Sequence, residues 1–301
     1  MKIFKKGQEV DLEKVALSPF SYSHQRGLLV LDSVCAFSTP YGPAIFRLKD
    51  HLKRFFNSAD LINMSLPMSE EEAAQYIKKA VQKNNKPQCY IRPLAYYPEV
   101  TTDVIAQNKK VEFLIGIFPF PSHSEKSKKL KISSYYKPAP SSVPVEAKIS
   151  SHYLNSALAK EEALACGYDE ALFLDQEGCL AEAPTANVFI VKNNVLYTPL
   201  LGPILPGITR ISVLQLARDL GYTVKEKKIK PTELFEADEV FLTSSAVDIL
   251  PIVQVDKTSF KTGEVTNRLK DAFFDVIHGK NEKYFSWLTF CKTSVHDEIH
   301  R

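Results

Sequence analysis

The order of hydrophobic and polar residues divides the first part of the chain into strand-like and helix-like stretches. Residues 27–48 contain two apolar, β-rich runs around a Thr-Pro-Tyr-Gly turn, which is typical of a β-hairpin. Apolar residues then recur with helical spacing over residues 51–63. A second helix is predicted to open at Ser69, because Ser69 and Glu72 have the spacing of a capping box. Two further apolar runs predict strands at 89–97 and 111–118.

The second part of the chain contains more predicted strands than helices. The segment 118–129 mixes proline, serine and charged residues without a period, as a connection between domains does. Strands are predicted at 130–135, 171–175, 179–182, 187–191, 194–198 and 239–243, and helices near 151–166, 209–220 and 265–278. We therefore expect an α/β (α+β) fold with a small N-terminal α/β domain over 1–120, a linker over 121–129 and a larger, mainly β domain with helices over 130–301.

Composition and charge narrow the class of partner. The 301 residues are 45% hydrophobic, which is enough for a large core and two domains. A net charge of +3 is too small and too dispersed to indicate a nucleic-acid or membrane surface, so a small-molecule partner is expected. Five cysteines without a C-x-x-C pair indicate neither a disulfide framework nor a metal site. With no signal-like N-terminus and no bilayer-length apolar run, we expect a cytoplasmic protein.

Lys148 is the first candidate for chemistry. It stands at the entrance of the helix predicted at 151–166, where the positive end of the helix dipole disfavours a cation. Judged by its position alone, it is interpreted as a solvated surface lysine. A catalytic lysine needs a lowered pKa and a carbonyl partner with which it can form an imine. Other parts of such a site must therefore appear before Lys148 is assigned to catalysis.

Several motifs, in a fixed order along the chain, supply those parts. They are Lys148-Ile-Ser-Ser-His-Tyr153, Glu182-Ala-Pro-Thr-Ala-Asn187, Leu205-Pro-Gly-Ile208-Thr209-Arg210, Arg54 in HLKRFFNSA, YIRPL at 90–94, ADEVFLTSSA at 237–246 and the tail segment 272–289. Together they resemble the class IV aminotransferases, which are fold-type IV pyridoxal-phosphate enzymes, and are most similar to the branched-chain group. The resemblance covers nearly the whole chain.

The resemblance implies a role for each matching residue. Lys148 would carry pyridoxal 5'-phosphate as a Schiff base and shuttle the proton of the substrate Cα, which would explain a lysine at a helix start. Tyr153 would hydrogen-bond the phenolic oxygen of the cofactor, and Glu182 would face its pyridine nitrogen. The phosphate would be held by Arg54, Ile208, Thr209 and Ser245. Asn187 is interpreted instead as a residue that satisfies loop backbone groups.

Substrate recognition follows the family only in part. Tyr90, Arg92 and the amide of Ala246 match positions around the substrate carboxylate, which favours an α-amino acid. Three other pocket positions depart from the family pattern: Arg26 and His123 replace tyrosines, and Leu31 replaces a phenylalanine. An arginine in an apolar pocket costs free energy unless it meets an anion. Arg26 therefore either turns outward or binds an anionic group of a different amino donor.

We interpret the protein as a transaminase that moves the amino group of an L-amino acid, by resemblance leucine, isoleucine or valine, to 2-oxoglutarate. Two alternatives keep the fold: a D-amino-acid aminotransferase and an aminodeoxychorismate lyase. A hydrolase with Ser150 or Ser151 as nucleophile and Lys148 as base is a third, and a non-catalytic binding scaffold is a fourth. The resemblance also implies a homodimer or a higher homo-oligomer.

Overall fold

The computed structural model describes residues 1–120 and 127–291, which form two compact units. The first unit contains residues 1–120 with 147–151 and 275–291, and the second contains 127–146 and 152–274. Two short stretches beyond the predicted linker thus belong to the first unit. The linker itself stays a prediction, because most of it lies outside the described residues and its last two residues begin a strand.

An eight-stranded sheet forms the centre of the first unit. Its strands are β1 Lys2–Lys5, β2 Gln8–Val10, β3 Leu29–Leu31, β4 Val34–Thr39, β5 Gly42–Phe46, β6 Cys89–Tyr96, β7 Glu112–Phe118 and a C-terminal strand Leu288–Phe290. The spatial order is the C-terminal strand, β5, β4, β6, β7, β1 and β2, with β3 also paired to β6. All of the pairings in this sheet are antiparallel.

The helices of the first unit are α1 Tyr22–Arg26, α2 Leu48–Asp60 and α3 Glu70–Lys83. The apolar sides of α2 and α3 belong to one buried cluster with the sheet, which includes Phe55 and Ile77 from the helices and Ile91 and Ile115 from the strands. Ser69 and Glu72 form the predicted capping box at the start of α3, so this helix begins where the sequence places it.

A nine-stranded mixed sheet forms the second unit. Its strands are β8 Lys128–Tyr136, β9 Glu170–Leu174, β10 Glu182–Ala183, β11 Ala186–Lys192, β12 Val195–Thr198, β13 Thr223–Glu226, β14 Glu239–Ser244, β15 Asp248–Val255 and β16 Thr258–Ser259. The order is β13, β12, β11, β14, β15, β8 and β9, with β10 on β11 and β16 on β15. The helices are α4 Tyr153–Ala165, α5 Ile208–Asp219, α6 Pro231–Phe235 and α7 Glu264–Ile277, of which α7 continues into the first unit.

Helix α4 buries a different face from the one that its sequence suggests. Leu154, Leu158 and Leu164 form its apolar stripe, and all three are exposed, Leu154 by 69%. The buried positions are Ser156, Ala159 and Ala163. Small residues face the unit because they let the helix approach β8 and β9 closely. The large apolar residues of α4 therefore remain exposed to solvent in the single chain.

The mixed α/β architecture with two sheets is confirmed, and most predicted elements lie within a few residues of their expected place. One strand is wrong: residues 179–181 are not strand, and only Leu180 makes an isolated bridge to Leu174. After the tight turn at 175–178 the chain pairs with the end of β9 over too few residues to form a strand, because the N–H of Leu180 donates to the Ile229 carbonyl outside this pair. No helix within the described ranges has the length and apolar character needed to cross a membrane.

Candidate active site

Lys148 lies in the stretch 147–151 of the first unit, and its main chain is hydrogen-bonded on both sides. Its N–H donates to Ser58 Oγ (3.0 Å), and its carbonyl accepts from the N–H of Leu31 (3.0 Å). Ser58 lies four residues after Arg54 on α2, and its hydroxyl donates to the Arg54 carbonyl (2.7 Å). The backbone of Lys148 is therefore fixed to β3 and to the helix that carries Arg54.

A buried charge cluster surrounds this anchor. Arg54 donates from Nε and Nη2 to the two carboxylate oxygens of Asp32 (2.9 and 2.7 Å), which is a bidentate ion pair. His51 Nδ1 is 2.8 Å from Asp32 Oδ1, and the N–H of Ser33 donates to the same oxygen (2.6 Å). Asp32 is fully buried and accepts from four donors, three of them at Oδ1 and one at Oδ2.

The charge states in this cluster follow from its geometry. Burial favours the neutral form of Asp32, but Arg54 and His51, with a smaller contribution from Lys148, outweigh it and hold the Asp32 pKa far below its ordinary value. Burial lowers the pKa of His51 and outweighs the opposing effect of Asp32. Because an ionised carboxylate only accepts, the neutral imidazole must carry its proton on Nδ1. The cluster is therefore an aspartate shared by a guanidinium and a neutral histidine.

The structure brings the two predicted carboxylate-binding residues of β6 together. Arg92 Nη2 donates to Tyr90 Oη (2.7 Å), and Tyr90 Oη donates to Ser33 Oγ (2.5 Å). Within the described part of the chain, the buried Nε atom of Arg92 has no hydrogen-bond partner. An unsatisfied buried guanidinium N–H is costly, so this arrangement suits a site that receives an anion. Leu31 is buried and lies two residues before Ser33. It pairs with Leu94, which is on the same strand as Arg92.

Arg26 is placed against a loop of its own unit. Its guanidinium donates to the main-chain carbonyls of Thr102 (2.6 Å) and Asp103 (3.2 Å). These contacts favour the alternative in which Arg26 turns outward and does not bind a substrate anion. His123, the other polar departure from the family pattern, lies outside the described residues.

Glu182 is the main candidate site residue of the second unit. It starts β10, is 6% exposed, and has Lys137 Nζ 2.8 Å from its Oε1. Asn187 Nδ2 donates to Oε2 (3.1 Å), and the N–H of Leu205 donates to both oxygens at 3.2–3.3 Å. Among the residues that the structure describes, three donors thus face a carboxylate that can accept about four hydrogen bonds. The Leu205 bond is long and is shared between both oxygens, so Glu182 can still accept from a further N–H group.

Asn187 connects Glu182 to the turn before α5. Its Nδ2 also donates to the Leu205 carbonyl (3.0 Å), as expected for a residue that satisfies loop backbone groups. A Cβ at Gly207 would lie only 2.0 Å from Asn187 Oδ1, so any side chain here would displace Asn187. Because Gly207 is the N-cap and has no side chain, the first-turn amides of Ile208 and Thr209 receive no side-chain cap from it. Such amides can bind a phosphate.

The remaining predicted residues of the second unit lie at element ends. Tyr153 is the half-buried first residue of α4. Ser245 and Ala246 occupy the turn between β14 and β15 and are also half-buried. The N–H of Ala246 donates to Ser244 Oγ (3.3 Å), a long bond that a substrate carboxylate can replace.

Comparison with known proteins identifies the family. The model of "Amino-transferase class IV" matches residues 39–255. A branched-chain-amino-acid aminotransferase of Pseudomonas aeruginosa is 35% identical, over 95% of this chain and 96% of that protein. The chain belongs to the class IV aminotransferases. The class IV membership expected from the motifs is confirmed, and this enzyme family depends on pyridoxal phosphate.

Solved structures confirm the fold of this aminotransferase. A branched-chain aminotransferase from Thermoproteus uzoniensis, solved with norvaline, superposes with a TM-score of 0.93 at 34% identity and covers 97% of this chain and 99% of that one. The Escherichia coli branched-chain aminotransferase gives a TM-score of 0.93 at 31% identity, covering 97% and 99%. The Thermobaculum terrenum enzyme, with a TM-score of 0.91 at 30% identity over 97% and 98%, was solved in its PLP form.

The residues present fit pyridoxal phosphate in three respects. Glu182 can accept from a ring N–H, α5 offers uncapped amides for a phosphate, and Lys148 has a fixed backbone. Sequence reasoning missed four residues of these networks: Asp32, His51, Ser58 and Lys137. A signal existed for Asp32, which is the only charged residue in the apolar run LLVLDSV and so needed a buried partner.

Proposed function

We propose that this aminotransferase uses pyridoxal 5'-phosphate on Lys148 to move the amino group of a branched-chain L-amino acid to a 2-oxo acid, 2-oxoglutarate. The observation that carries the proposal is the anchoring of Lys148. Both polar groups of its main chain are bonded, one of them to the hydroxyl that also holds Arg54. A lysine fixed in this way can present Nζ repeatedly at one point.

The chain's own residues divide the chemical tasks. Lys148 Nζ would take the proton from the substrate Cα and deliver it to C4′ of the cofactor. Glu182 holds a proton on the ring nitrogen of the cofactor by accepting a hydrogen bond from it, and the amides of Ile208 and Thr209 bind the phosphate together with Arg54 and Ser245. Tyr153 hydrogen-bonds the phenolic oxygen. When bound, pyridoxal phosphate supplies the electron sink that makes the Cα proton removable.

The substrate class is supported by what surrounds the candidate pocket residues. Leu31 is apolar and buried, and the Arg26 guanidinium is occupied by main-chain carbonyls. Tyr90 and Arg92 remain as the polar pair for a carboxylate. An apolar side-chain pocket with one carboxylate-binding pair suits leucine, isoleucine or valine. Relatives named as branched-chain enzymes, one of them solved with norvaline, agree with this choice.

The exposed face of α4 supports a homodimer. Leu154, Leu158 and Leu164 lie on one side of this helix and are all exposed in the single chain. Aligned apolar side chains of this size are typical of surfaces that a partner covers. We also propose a cytoplasmic location, because all five cysteines are free thiols, as expected in a reducing compartment.

The alternative of a hydrolase with Ser150 as its nucleophile has no support in the geometry. Ser150 Oγ donates to the Gly27 carbonyl (2.6 Å) and accepts from the N–H of Leu29 (3.3 Å). Its hydrogen is therefore used in a structural bond and does not point to a base. A serine nucleophile instead needs a hydrogen bond to its activating group.

Borohydride trapping tests the proposed function. The purified enzyme with pyridoxal phosphate should absorb visible light, and reduction should abolish this absorption and add the mass of the reduced cofactor to the peptide that contains Lys148. Lys148→Ala should show no covalent adduct and lose more than about 1,000-fold in transamination of leucine. A label on another lysine, or full turnover by Lys148→Ala, would contradict the assignment.

A further inference from the structure

Lys137 is held in place by its main chain. It directly follows β8, and its N–H donates to the Leu174 carbonyl (2.9 Å). Its own carbonyl accepts from Gln176 Nε2 (2.7 Å). Both bonds tie Lys137 to the end of β9 and the turn that follows it. The main chain at Lys137 is therefore fixed next to the end of β9.

The side chain of Lys137 lies almost entirely inside the unit. It is 11% exposed, its Nζ is 5.5 Å from the centre of the buried Phe173 ring, and it is 2.8 Å from Glu182 Oε1. The Glu182 side chain is only 8% exposed. A buried ammonium and a buried carboxylate tolerate this environment only as a pair, and removal of either one leaves the other uncompensated.

Resting on the proposed function, we propose that Lys137 is a positioning residue that supplies the permanent counter-charge of Glu182. Asn187 and Leu205 direct the carboxylate, but both are neutral donors. Lys137 supplies the cation that keeps the carboxylate in place, so that it can accept from the ring nitrogen. A protonated pyridine nitrogen is then a second cation beside the same carboxylate.

This arrangement makes a prediction that an ordinary structural ion pair does not make. In Lys137→Met, Glu182 loses its cation until the cofactor arrives, and the ring N–H then takes over part of the compensation. The loss in melting temperature should therefore be at least about 5 °C without cofactor and less than half as large with pyridoxal phosphate bound. The cofactor-induced rise in melting temperature would thus be larger in the variant than in the wild type.

Kinetics give a second readout. Because Lys137 acts through Glu182 on the cofactor ring, Lys137→Met should lower kcat for leucine about tenfold and leave KM within about twofold. Lys137→Arg keeps a cation at this position and should restore most of the lost kcat. A variant with wild-type kcat would overturn the positioning role.

Lys160 provides a matched control in the same unit. It pairs with Glu170 at 2.9 Å, with 31% of its side chain exposed. Lys160→Met should lower the melting temperature equally with and without cofactor. If Lys137→Met behaves in this way as well, the Lys137–Glu182 pair is structural only and the inference is overturned.

Poor folding of Lys137→Met would still leave the inference testable. The double variant Lys137→Met/Glu182→Gln carries neither charge, so it should regain cofactor-free stability relative to the single variant. If the double variant is no more stable than Lys137→Met, the charge argument is wrong. A wild-type enzyme that binds no pyridoxal phosphate would overturn the proposed function, whereas equal losses in both forms would overturn only the role of Lys137.

Discussion

The two units each contain one buried carboxylate at the centre of a charge network, and the two carboxylates differ in the donors that hold them. Asp32 accepts from four donors and is fully buried. Glu182 has Lys137 and two amides, and the Leu205 N–H is shared between its two oxygens at 3.2–3.3 Å. A carboxylate held by a bidentate guanidinium is fixed to its protein partners, and one held partly by a long, shared bond can also accept from a ligand. The Asp32 network is therefore interpreted as structural support, and Glu182 as the residue that meets the cofactor.

The largest effect is expected on the activity of a variant that changes Glu182. Glu182→Gln keeps the shape and an amide beside Lys137 but removes the negative charge that supports a ring proton. We expect kcat for leucine to fall by about 100- to 1,000-fold, with the cofactor still bound. Steady-state kinetics on the spectroscopically loaded enzyme measure this. A loss below fivefold would mean that another group supports the ring nitrogen.

Asp32→Asn tests whether the carboxylate of the first unit acts through stability. The substitution removes the counter-charge that Asp32 gives the buried Arg54, so the free energy of unfolding should fall by about 3–5 kcal/mol at pH 7. The Asp32 pKa is lowered in the folded state, so its stabilisation is present above the unfolded pKa and lost as the pH falls through and below about 4. Urea unfolding at pH 7 and pH 3 should show a difference between the two proteins that shrinks in acid.

Asp248 is a third carboxyl, and its pKa moves in the opposite direction from that of Asp32. Burial raises its pKa to about 7, with Lys270 opposing this weakly. Between the unfolded pKa and about 7, the folded state binds a proton that the unfolded state does not, so stability falls as the pH rises through that window. Because Asp248 is partly exposed, we expect Asp248→Asn to add only about 1–3 kcal/mol at pH 8 and little at pH 4, which urea unfolding at the two pH values measures. Asparagine also tolerates its φ of 52°.

The smallest effect is expected at Arg26. Its guanidinium donates to main-chain carbonyls of its own unit, so Arg26→Tyr should cost about 1–2 kcal/mol of stability. The ratio of kcat/KM for leucine over glutamate should stay within about twofold. A shift toward aliphatic substrates would instead place Arg26 in the substrate pocket. The first unit would then contribute a second charged residue, besides Arg92, to substrate binding.

The sequence predicts most of the helices and strands, because they depend on interactions between residues that are close together along the chain. The Ser69 capping box and the hairpin of β4 and β5 depend on residues that are neighbours in the sequence. The residue pattern does not predict strand β15, because Pro251 lies in the middle of it and a proline normally argues against a strand. Residue size alone also does not identify the buried face of α4, because its leucines are exposed while the small residues Ala159 and Ala163 are buried.

The sequence predicts the site residues that stand in recognisable motifs. It does not predict the residues that join the site through ion pairs and hydrogen bonds with distant parts of the chain. Glu182 and Lys148 stand in motifs that resemble a family. The partners of Lys137 and Asp32 become recognisable only when folding brings together residues that are 45 and 22 positions apart. No periodicity or spacing rule links such pairs, because their distance along the chain is set by the intervening loops and strands. Tertiary structure was therefore required to find the counter-charges.

The first unit is assembled from three separate stretches of the chain, and this has a consequence for biosynthesis. Its sheet ends with Leu288–Phe290 beside β5, and the stretch that holds Lys148 is inserted between two stretches of the other unit. An N-terminal fragment ending near residue 120 therefore lacks an edge strand and the Lys148 anchor. During translation, the N-terminal sheet cannot be completed until nearly the entire chain has left the ribosome, so nascent β5 stays unpaired on one side for most of synthesis.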